Sequence, residues 1–215
     1  MYQYNDDSLM LHNDLYQINM AESYWNDGIH ERIAVFDLYF RKMPFNSGYA
    51  VFNGLKRVVN FIENFGFTNE DITYLKSIGY EEDFLNYLKD LKFTGNIKSM
   101  QEGEICFGNE PLLRVEAPLI QAQLIETILL NIINFQTLIA TKASRIRQIA
   151  THDTLMEFGT RRAQEIDAAL WGARAAFIGG FDSTSNVRAG KLFNIPVSGT
   201  HAHALVQTYG DEYIA

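Results

Sequence analysis

The second half of the chain alternates short apolar runs, glycine-containing loops and helical segments, and this alternation limits the fold more than any other feature. A long helical segment at about 121–150 is followed by the runs TLMEF, FIGG and IPVSG, with further helical segments between them. The units recur at roughly twenty-residue intervals, which is typical of parallel β/α units. The sequence therefore predicts an α/β fold with a parallel sheet in residues 121–215.

The first part of the chain has a different pattern and predicts a separate module. Residues 33–40, IAVFDLYF, are apolar on both faces, which is typical of a covered sheet strand. Helical segments follow between residues 54 and 93, and one of them opens with a capping-box pattern at Thr68. Two strand-like runs around the turn GNEP then indicate a hairpin. We predict an α/β module in residues 1–120 and a second domain in residues 121–215.

The number of β/α units bears on whether the chain is complete. A closed (β/α) barrel needs about eight strands and roughly 250 residues, whereas about three units can be identified here. An open set of this size leaves parallel edges and apolar faces uncovered. We therefore expect the chain to be the front portion of a longer protein, with a compact three-stranded α/β domain as the alternative.

Composition excludes several classes of protein. The net charge of -8 argues against a general binder of nucleic acids or anionic membranes, because such proteins are usually basic. Cys106 is the single cysteine, which excludes an intrachain disulfide and fits the reducing cytoplasm. The first residues carry no cationic stretch leading into an apolar one, so we expect no signal peptide. We interpret the apolar stretch 124–140, which contains Glu126, as a buried helix rather than a membrane span.

Three loops that follow predicted strands share the same composition. EFGTRR follows TLM, GGFDSTSN follows FI, and SGTHAH follows IPV, and each loop is rich in glycine, hydroxyl groups and titratable side chains. In parallel α/β folds, ligands bind where such loops converge at the carboxyl ends of the strands. The sequence therefore predicts a binding site formed by these three loops.

The loop EFGTRR contains residue types suited to a flat, phosphorylated ligand. Arg161 offers a planar fork of donors for phosphate or carboxylate, Gly159 permits a close backbone approach, and Phe158 can stack on a ring. The alternative is a core Phe158 with Arg161 and Arg162 at a solvated helix start. Cations at a helix N-terminus oppose the helix dipole, however, so the pair of arginines favours a bound anion.

The other two loops allow more than one interpretation. Asp182, Ser183 and Thr184 could belong to an anion cradle or to an ordinary helix cap. His201 and His203 lie two positions apart, but no cysteine or nearby histidine completes a zinc set, so we predict no metal site. An imidazole can act as a base or accept a phosphoryl group near neutral pH, although a structural histidine fits the pattern equally well.

Several strings together are similar to one family. LHNDLYQINMA, FDLYFRKMPFNSGYAVFNGL, EFGTRRAQ, GGFDSTSNVRAG and SGTHAHA resemble nicotinate phosphoribosyltransferase, in the order of that family, from about residue 11 to 205. The family joins nicotinate to phosphoribosyl pyrophosphate, giving nicotinate mononucleotide and pyrophosphate for NAD salvage. The resemblance implies a type II phosphoribosyltransferase-like fold, with an N-terminal α/β module and the first part of an irregular (β/α) barrel.

The resemblance also implies roles for single residues. His203 matches a histidine that ATP phosphorylates, and Thr200 matches a threonine that binds nicotinate. Tyr16 matches a tyrosine that contacts the nicotinate ring, in the site of a neighbouring subunit. Phe158 resembles the aromatic partner on the other face of the ring, and Arg161 resembles an arginine near the phosphoribosyl phosphates.

Further expectations follow from the same resemblance. Asp182, Ser183 and Thr184 would lie near the phosphates. ATP hydrolysis would be coupled to the reaction and Mg²⁺ would accompany the phosphates, and the active protein would be a cytoplasmic homodimer with shared active sites. Because members of the family are roughly twice as long as this chain, the 215 residues alone would turn over little or no substrate.

Other functions are compatible with parts of the sequence. Nicotinamide phosphoribosyltransferase shares the architecture, but related nicotinamide enzymes carry an aspartate directly after the GT pair, where it can bond the carboxamide. This chain has His201 there, and an aspartate would repel the nicotinate carboxylate. A non-catalytic binding or assembly module is a second alternative. A sugar-phosphate barrel enzyme is a third, although it would leave Tyr16 unexplained.

Overall fold

The computed structural model describes residues 9–215, which contain both helices and sheets, as predicted. The chain divides into two compact units, Met1–Thr141 and Lys142–Ala215. The helices within residues 9–215 are α1 (Leu15–Asn26), α2 (Leu55–Glu63), α3 (Asn69–Ser77), α4 (Glu82–Asp90), α5 (Leu119–Ile149), α6 (Glu165–Ile178), α7 (Val187–Phe193) and α8 (His203–Tyr209). The strands of the same residues are β1 (Ile33–Leu38), β2 (Ala50–Val51), β3 (Asn96–Ser99), β4 (Ile105–Cys106), β5 (Leu113–Pro118), β6 (Met156–Glu157) and β7 (Ser183–Thr184).

The first unit is built on an antiparallel sheet in the order β1-β5-β3. The central strand is β5, in which Val115 lies opposite both Phe36 and Ile97. One hydrophobic core joins this sheet to the helices, and Phe52 and Phe84 are among its largest fully buried side chains. Burying a side chain of this size stabilises the fold by about 1.5–3 kcal/mol.

The prediction that residues 33–40 form a strand covered on both faces is wrong. Ile33 and Val35 expose 66% and 55% of their surface, whereas Phe36 and Leu38 pack against the core. An antiparallel sheet can leave one face in water. The outer face of β1 carries Ile33, Val35 and Asp37 and is not covered by the described residues, and the sequence pattern cannot distinguish a covered face from an exposed one.

The hairpin predicted around GNEP is also wrong. β4 pairs with β2, with Ala50 opposite Cys106, while β5 pairs with β1 and β3. The turn is present, but the strands on its two sides belong to different sheets. A turn signal identifies a local change of direction and carries no information on partners that lie far away in the sequence.

The long helix α5 belongs to both units, and its contacts explain where they divide. The hydroxyl groups of Thr137 and Thr141 accept hydrogen bonds of 3.1 and 2.9 Å from the backbone N–H groups of Asn53 and Val51. The helix is therefore bonded to the β2 region up to Thr141. The division lies at this point, later in the chain than the boundary expected near residue 120.

By length and composition, α5 is the one helix within residues 9–215 that could cross a membrane. Core helices of soluble proteins pass the same test, and 56% of the most apolar window of α5 is buried within the structure. This burial favours the interpretation of α5 as a core helix.

The second unit contains the parallel β/α units predicted for residues 121–215. β6 pairs in parallel with β7, and Thr184 of β7 forms a parallel bridge with Val197. Helix α6 connects the first two strands, and α7 connects β7 to Val197. Parallel neighbours need such crossovers, so the alternation of runs and helical segments correctly indicated this topology.

The strand predicted at FIGG is misplaced. Phe177 and Ile178 end α6, and the strand that follows is Ser183–Thr184. Gly180 has a φ of 105°, and its backbone N–H bonds to the carbonyl of Phe177 at the helix end. Glycine is favoured in this left-handed conformation. The glycine pair is therefore a helix stop, and the loop that it belongs to precedes the strand.

Candidate active site

Three segments leave the parallel strands of the second unit at their carboxyl ends. They begin after Glu157, after Thr184 and after Val197. The strands are held in register because Ser185 N–H donates to Glu157 O and Ser198 N–H donates to Thr184 O, both at 3.0 Å. Because neighbouring parallel strands end on the same side of a sheet, the three segments share one edge.

The segment after β6 carries Phe158 and the two arginines. Phe158 is 37% exposed, so its ring is accessible from solvent and is not a core side chain. Gly159 precedes a 3-10 turn, Thr160–Arg162, which is closed by a 2.8 Å bond from Arg162 N–H to Gly159 O. Both arginines are exposed, and none of the ion pairs of residues 9–215 involves Arg161 or Arg162. This segment can present a ring face and unpaired cationic donors to one ligand.

The segment after Val197 carries Thr200, His201 and His203. All three are exposed, and His203 is the first residue of α8. Within residues 9–215, no group of three or more His, Cys, Asp or Glu side chains could hold a metal ion. Because His203 is exposed, its imidazole is accessible to a substrate in solution.

Asp182 lies on the other side of the strands from these segments. It precedes β7, and its carboxylate accepts bonds of 2.5 Å from Arg147 and 2.7 Å from the backbone N–H of Leu155. The Leu155 bond and the Arg147 guanidinium lower the pKa of Asp182 below its ordinary value. The expectation that Asp182 lies at the loop edge depended on the misplaced strand, and the structure instead engages its carboxylate at the amino ends of β6 and β7.

Ser183 and Thr184 are buried rather than presented to a ligand. Thr184 is fully buried, and its hydroxyl donates to Glu157 at 2.7 Å and accepts from the backbone N–H of Asn186 at 3.1 Å. Ser183 is 7% exposed, and its hydroxyl forms no hydrogen bond within residues 9–215. Ser183 and Thr184 are thus buried, whereas Phe158 is exposed.

Tyr16 belongs to the first unit, on α1, and is 52% exposed. Its hydroxyl accepts a 3.0 Å bond from the side-chain amide of Gln17, which is fully buried and also donates to Glu126 at 3.0 Å. Tyr16 lines a cavity of about 450 Å³ together with Asp14 and Arg41. Arg41 lies in the string FRKMPF and was not among the residues expected to form a site.

Known proteins match the chain over most or all of its length. A family model described as the nicotinate phosphoribosyltransferase N-terminal domain matches residues 11–134. The nicotinate phosphoribosyltransferase of Bacillus subtilis is 66% identical over 215 residues, which is 100% of this chain and 44% of that protein. The chain thus spans less than half the length of this relative. The name of this relative gives nicotinate rather than nicotinamide.

Solved structures agree with the sequence matches. The crystal structure of human nicotinic acid phosphoribosyltransferase superposes with a TM-score of 0.85 at 39% identity, covering 91% of this chain and 40% of the human chain. The nicotinate-nucleotide pyrophosphorylase of Pyrococcus furiosus superposes with a TM-score of 0.80 at 24% identity, covering 100% of this chain and 48% of that chain, and supports the fold alone. These matches confirm the type II phosphoribosyltransferase-like fold. The chain belongs to the nicotinate phosphoribosyltransferase family.

Proposed function

We propose that this protein forms nicotinate mononucleotide and pyrophosphate from nicotinate and phosphoribosyl pyrophosphate, with coupled ATP hydrolysis, in NAD salvage. One observation carries the proposal: the segment with Phe158 and Arg161 follows β6, the segment with Thr200 and His203 follows Val197, and both leave on the same edge of the second unit, on either side of β7. The names of the relatives support the same assignment.

The reaction needs the residue types that this edge presents. Displacement of pyrophosphate at C1 of the ribose builds positive charge on the sugar and negative charge on the leaving group. The guanidinium of Arg161 would stabilise that negative charge through paired N–H donors. Phe158 would stack on the pyridine ring, which is worth about 0.5–1.5 kcal/mol, and keep its nitrogen aligned with C1. Thr200 would contact the nicotinate.

His203 is proposed as the residue that couples ATP hydrolysis to the reaction. An exposed imidazole nitrogen can accept the γ-phosphoryl group of ATP with release of ADP, and water then releases phosphate. The phosphoryl group adds negative charge to the segment after Val197 and changes its electrostatics. A His203→Ala variant should therefore form nicotinate mononucleotide without stimulation by ATP, and stimulation that persists at the wild-type level would contradict this role.

Mg²⁺ is proposed to reach the site with the substrates. Residues 9–215 contain no cluster of carboxylates or histidines that would hold the ion. Mg²⁺ often binds through substrate phosphates with few protein ligands, so it would enter with phosphoribosyl pyrophosphate and ATP. We assign no residue and no step to it.

The proposal includes a cytoplasmic homodimer in which Tyr16 of one copy contacts the nicotinate ring in the active site of the other copy. The hydroxyl of the exposed Tyr16 accepts a hydrogen bond from Gln17, and Tyr16 lines a cavity with Arg41, which is a suitable surface for part of a ligand. Cys106 is free and buried, which fits a reducing compartment. No nucleic acid or membrane is among the proposed partners, in keeping with the net charge of -8.

A product assay tests the function. The complete gene product that carries these residues is incubated with nicotinate, phosphoribosyl pyrophosphate, ATP and Mg²⁺, and nicotinate mononucleotide is separated and quantified. We expect nicotinate to be used in preference to nicotinamide, and Arg161→Ala to raise the KM for phosphoribosyl pyrophosphate. The 215 residues alone should give little or no product. Preference for nicotinamide, or an unchanged KM in Arg161→Ala, would contradict the assignment.

A further inference from the structure

Glu157, the last residue of β6, uses both oxygens of its carboxylate within the second unit. Oε1 accepts a hydrogen bond from the backbone N–H of Gly159, and Oε2 accepts a 2.7 Å bond from the hydroxyl of Thr184. Glu157 itself is half-buried, and Thr184 is fully buried. A carboxylate removed in part from water binds such donors more strongly than a neutral acceptor does.

The bond to Gly159 fixes the start of the segment that carries Phe158 and Arg161. A Cβ atom on Gly159 would lie 2.7 Å from Oε1 of Glu157, so a larger residue could not keep this approach without moving the carboxylate. The carbonyl of Gly159 then accepts the bond from Arg162 N–H that closes the 3-10 turn. The carboxylate of Glu157 therefore holds Gly159, the residue at which the 3-10 turn is closed.

Thr184 connects the carboxylate of Glu157 to the third parallel strand. Its backbone N–H donates to Pro196 O and its carbonyl accepts from Ser198 N–H, both at 3.0 Å. Its hydroxyl accepts from the backbone N–H of Asn186, so its one proton is free to be donated to Glu157. A single buried threonine thus connects the segment after β6 to the segment that follows the third strand.

We propose that Glu157 is a positioning residue that, together with Thr184, holds Phe158 and Arg161 in the geometry that receives the nicotinate ring and the phosphates. This inference rests on the proposed function. It gives the hydroxyl of Thr184 a partner inside the protein in place of a ligand phosphate. Because both oxygens of Glu157 already accept bonds from the protein, Glu157 supports the binding residues and does not itself bind a ligand.

Substitutions in the complete gene product test the role of the bond between Glu157 and Thr184. Thr184→Val removes the hydroxyl at nearly constant volume, Glu157→Gln leaves one oxygen for two donors, and Thr184→Ser keeps the hydroxyl. We expect the first two changes each to raise the KM for phosphoribosyl pyrophosphate by about tenfold or more, with a smaller effect on kcat. Thr184→Ser and the matched control Thr73→Val, on the exposed face of α3, should stay near the wild type.

The double variant shows whether the two substitutions remove the same hydrogen bond or act independently on KM. Because Glu157→Gln and Thr184→Val break the same interaction, the double variant should raise KM no more than the more damaging single change. Losses that multiply in the double variant would overturn the proposal. So would failure of Thr184→Ser to retain the wild-type KM.

Tryptic cleavage after Arg161 and Arg162, followed by mass spectrometry without substrates, gives a readout that does not depend on activity. We expect cleavage to be about tenfold faster in Glu157→Gln and Thr184→Val, at temperatures where both remain folded by circular dichroism. Unchanged cleavage overturns the proposal. If the wild type forms no nicotinate mononucleotide but the two substitutions still accelerate cleavage, the proposed function is wrong. The result would still support the proposal that Glu157 fixes the segment with Phe158 and Arg161.

Discussion

Arg147 and Asp182 form an ion pair with 2.5 Å between Nη2 and Oδ2, and this pair joins the end of α5 to the segment before β7. The same guanidinium also donates to backbone carbonyls. These acceptors are Gly180 O at 2.7 Å, Ala150 O at 3.0 Å and Asp153 O at 2.9 Å. Arg147 therefore holds several loop ends of the second unit at once, on the side of the strands opposite the residues proposed to bind substrate.

We expect Arg147→Ala to lower the free energy of unfolding by about 2–3 kcal/mol, because several acceptors lose their donor together. Arg147→Lys should recover only part of the loss, since one ammonium cannot reproduce the planar fork. Urea unfolding of the purified protein measures the change. Arg188→Ala, at an exposed arginine of α7, is the control and should stay within about 0.5 kcal/mol of the wild type. Equal losses in the two alanine variants would contradict this role of Arg147.

Asp182 gives a prediction for the pH dependence of stability. The bond from Leu155 N–H and the Arg147 guanidinium lower its pKa below the ordinary value of 3.8. The ionised carboxylate of Asp182 therefore stabilises the fold fully at a pH above its ordinary pKa. This stabilisation is lost as the pH falls through the lower pKa of the folded state. Asp182→Asn should be less stable than the wild type at about pH 6, and the difference should shrink at about pH 3. Urea midpoints at both pH values test this, and a difference independent of pH would contradict it.

Local signals were sufficient to predict several elements. The capping box predicted at Thr68 is confirmed, because Thr68 and Asp71 exchange hydrogen bonds of 2.8 and 3.1 Å. The order of strands and helices also indicated the parallel sheet of the second unit. These features depend on residues close together in sequence, where periodicity and hydrogen-bonding side chains determine the conformation.

Features that depend on distant partners were not predictable in the same way. The pairing of Ala50 with Cys106 and the uncovered face of β1 are set by tertiary contacts. In the candidate site, Phe158 and Arg161 are exposed, and their roles in binding stay predictions. Asp182 was placed on the wrong side of its strand because FIGG was interpreted as the strand. Glu157 was missed because its partner Thr184 lies on another strand.

Phe158 should contribute to the binding of nicotinate more than to that of phosphoribosyl pyrophosphate. Loss of one stacking contact in Phe158→Leu is expected to raise the KM for nicotinate about 3- to 10-fold, whereas Phe158→Tyr should retain it. Phe177→Leu is a matched control, because Phe177 lies on α6 with a similar exposure of 38%. Steady-state kinetics with each substrate varied separately provide the comparison. Equal effects of the two leucine substitutions would argue against stacking by Phe158.

Mixing of two inactive variants tests whether Tyr16 acts in the site of a second copy. Tyr16→Ala and Arg161→Ala should each have low activity as homodimers. If each site takes Tyr16 from one protomer and Arg161 from the other, random exchange should restore about one quarter of the wild-type activity. No recovery after verified subunit exchange would mean that both residues serve the site of their own chain.

Amide hydrogen exchange with and without substrates tests the central claim most directly, namely that one edge of the second unit receives both substrates. The complete gene product is compared alone and with nicotinate and phosphoribosyl pyrophosphate. We expect residues 158–162 and 198–203 both to exchange at least about tenfold more slowly when the substrates are bound, while α3 is unchanged. Bound substrates that leave either segment unprotected would contradict it.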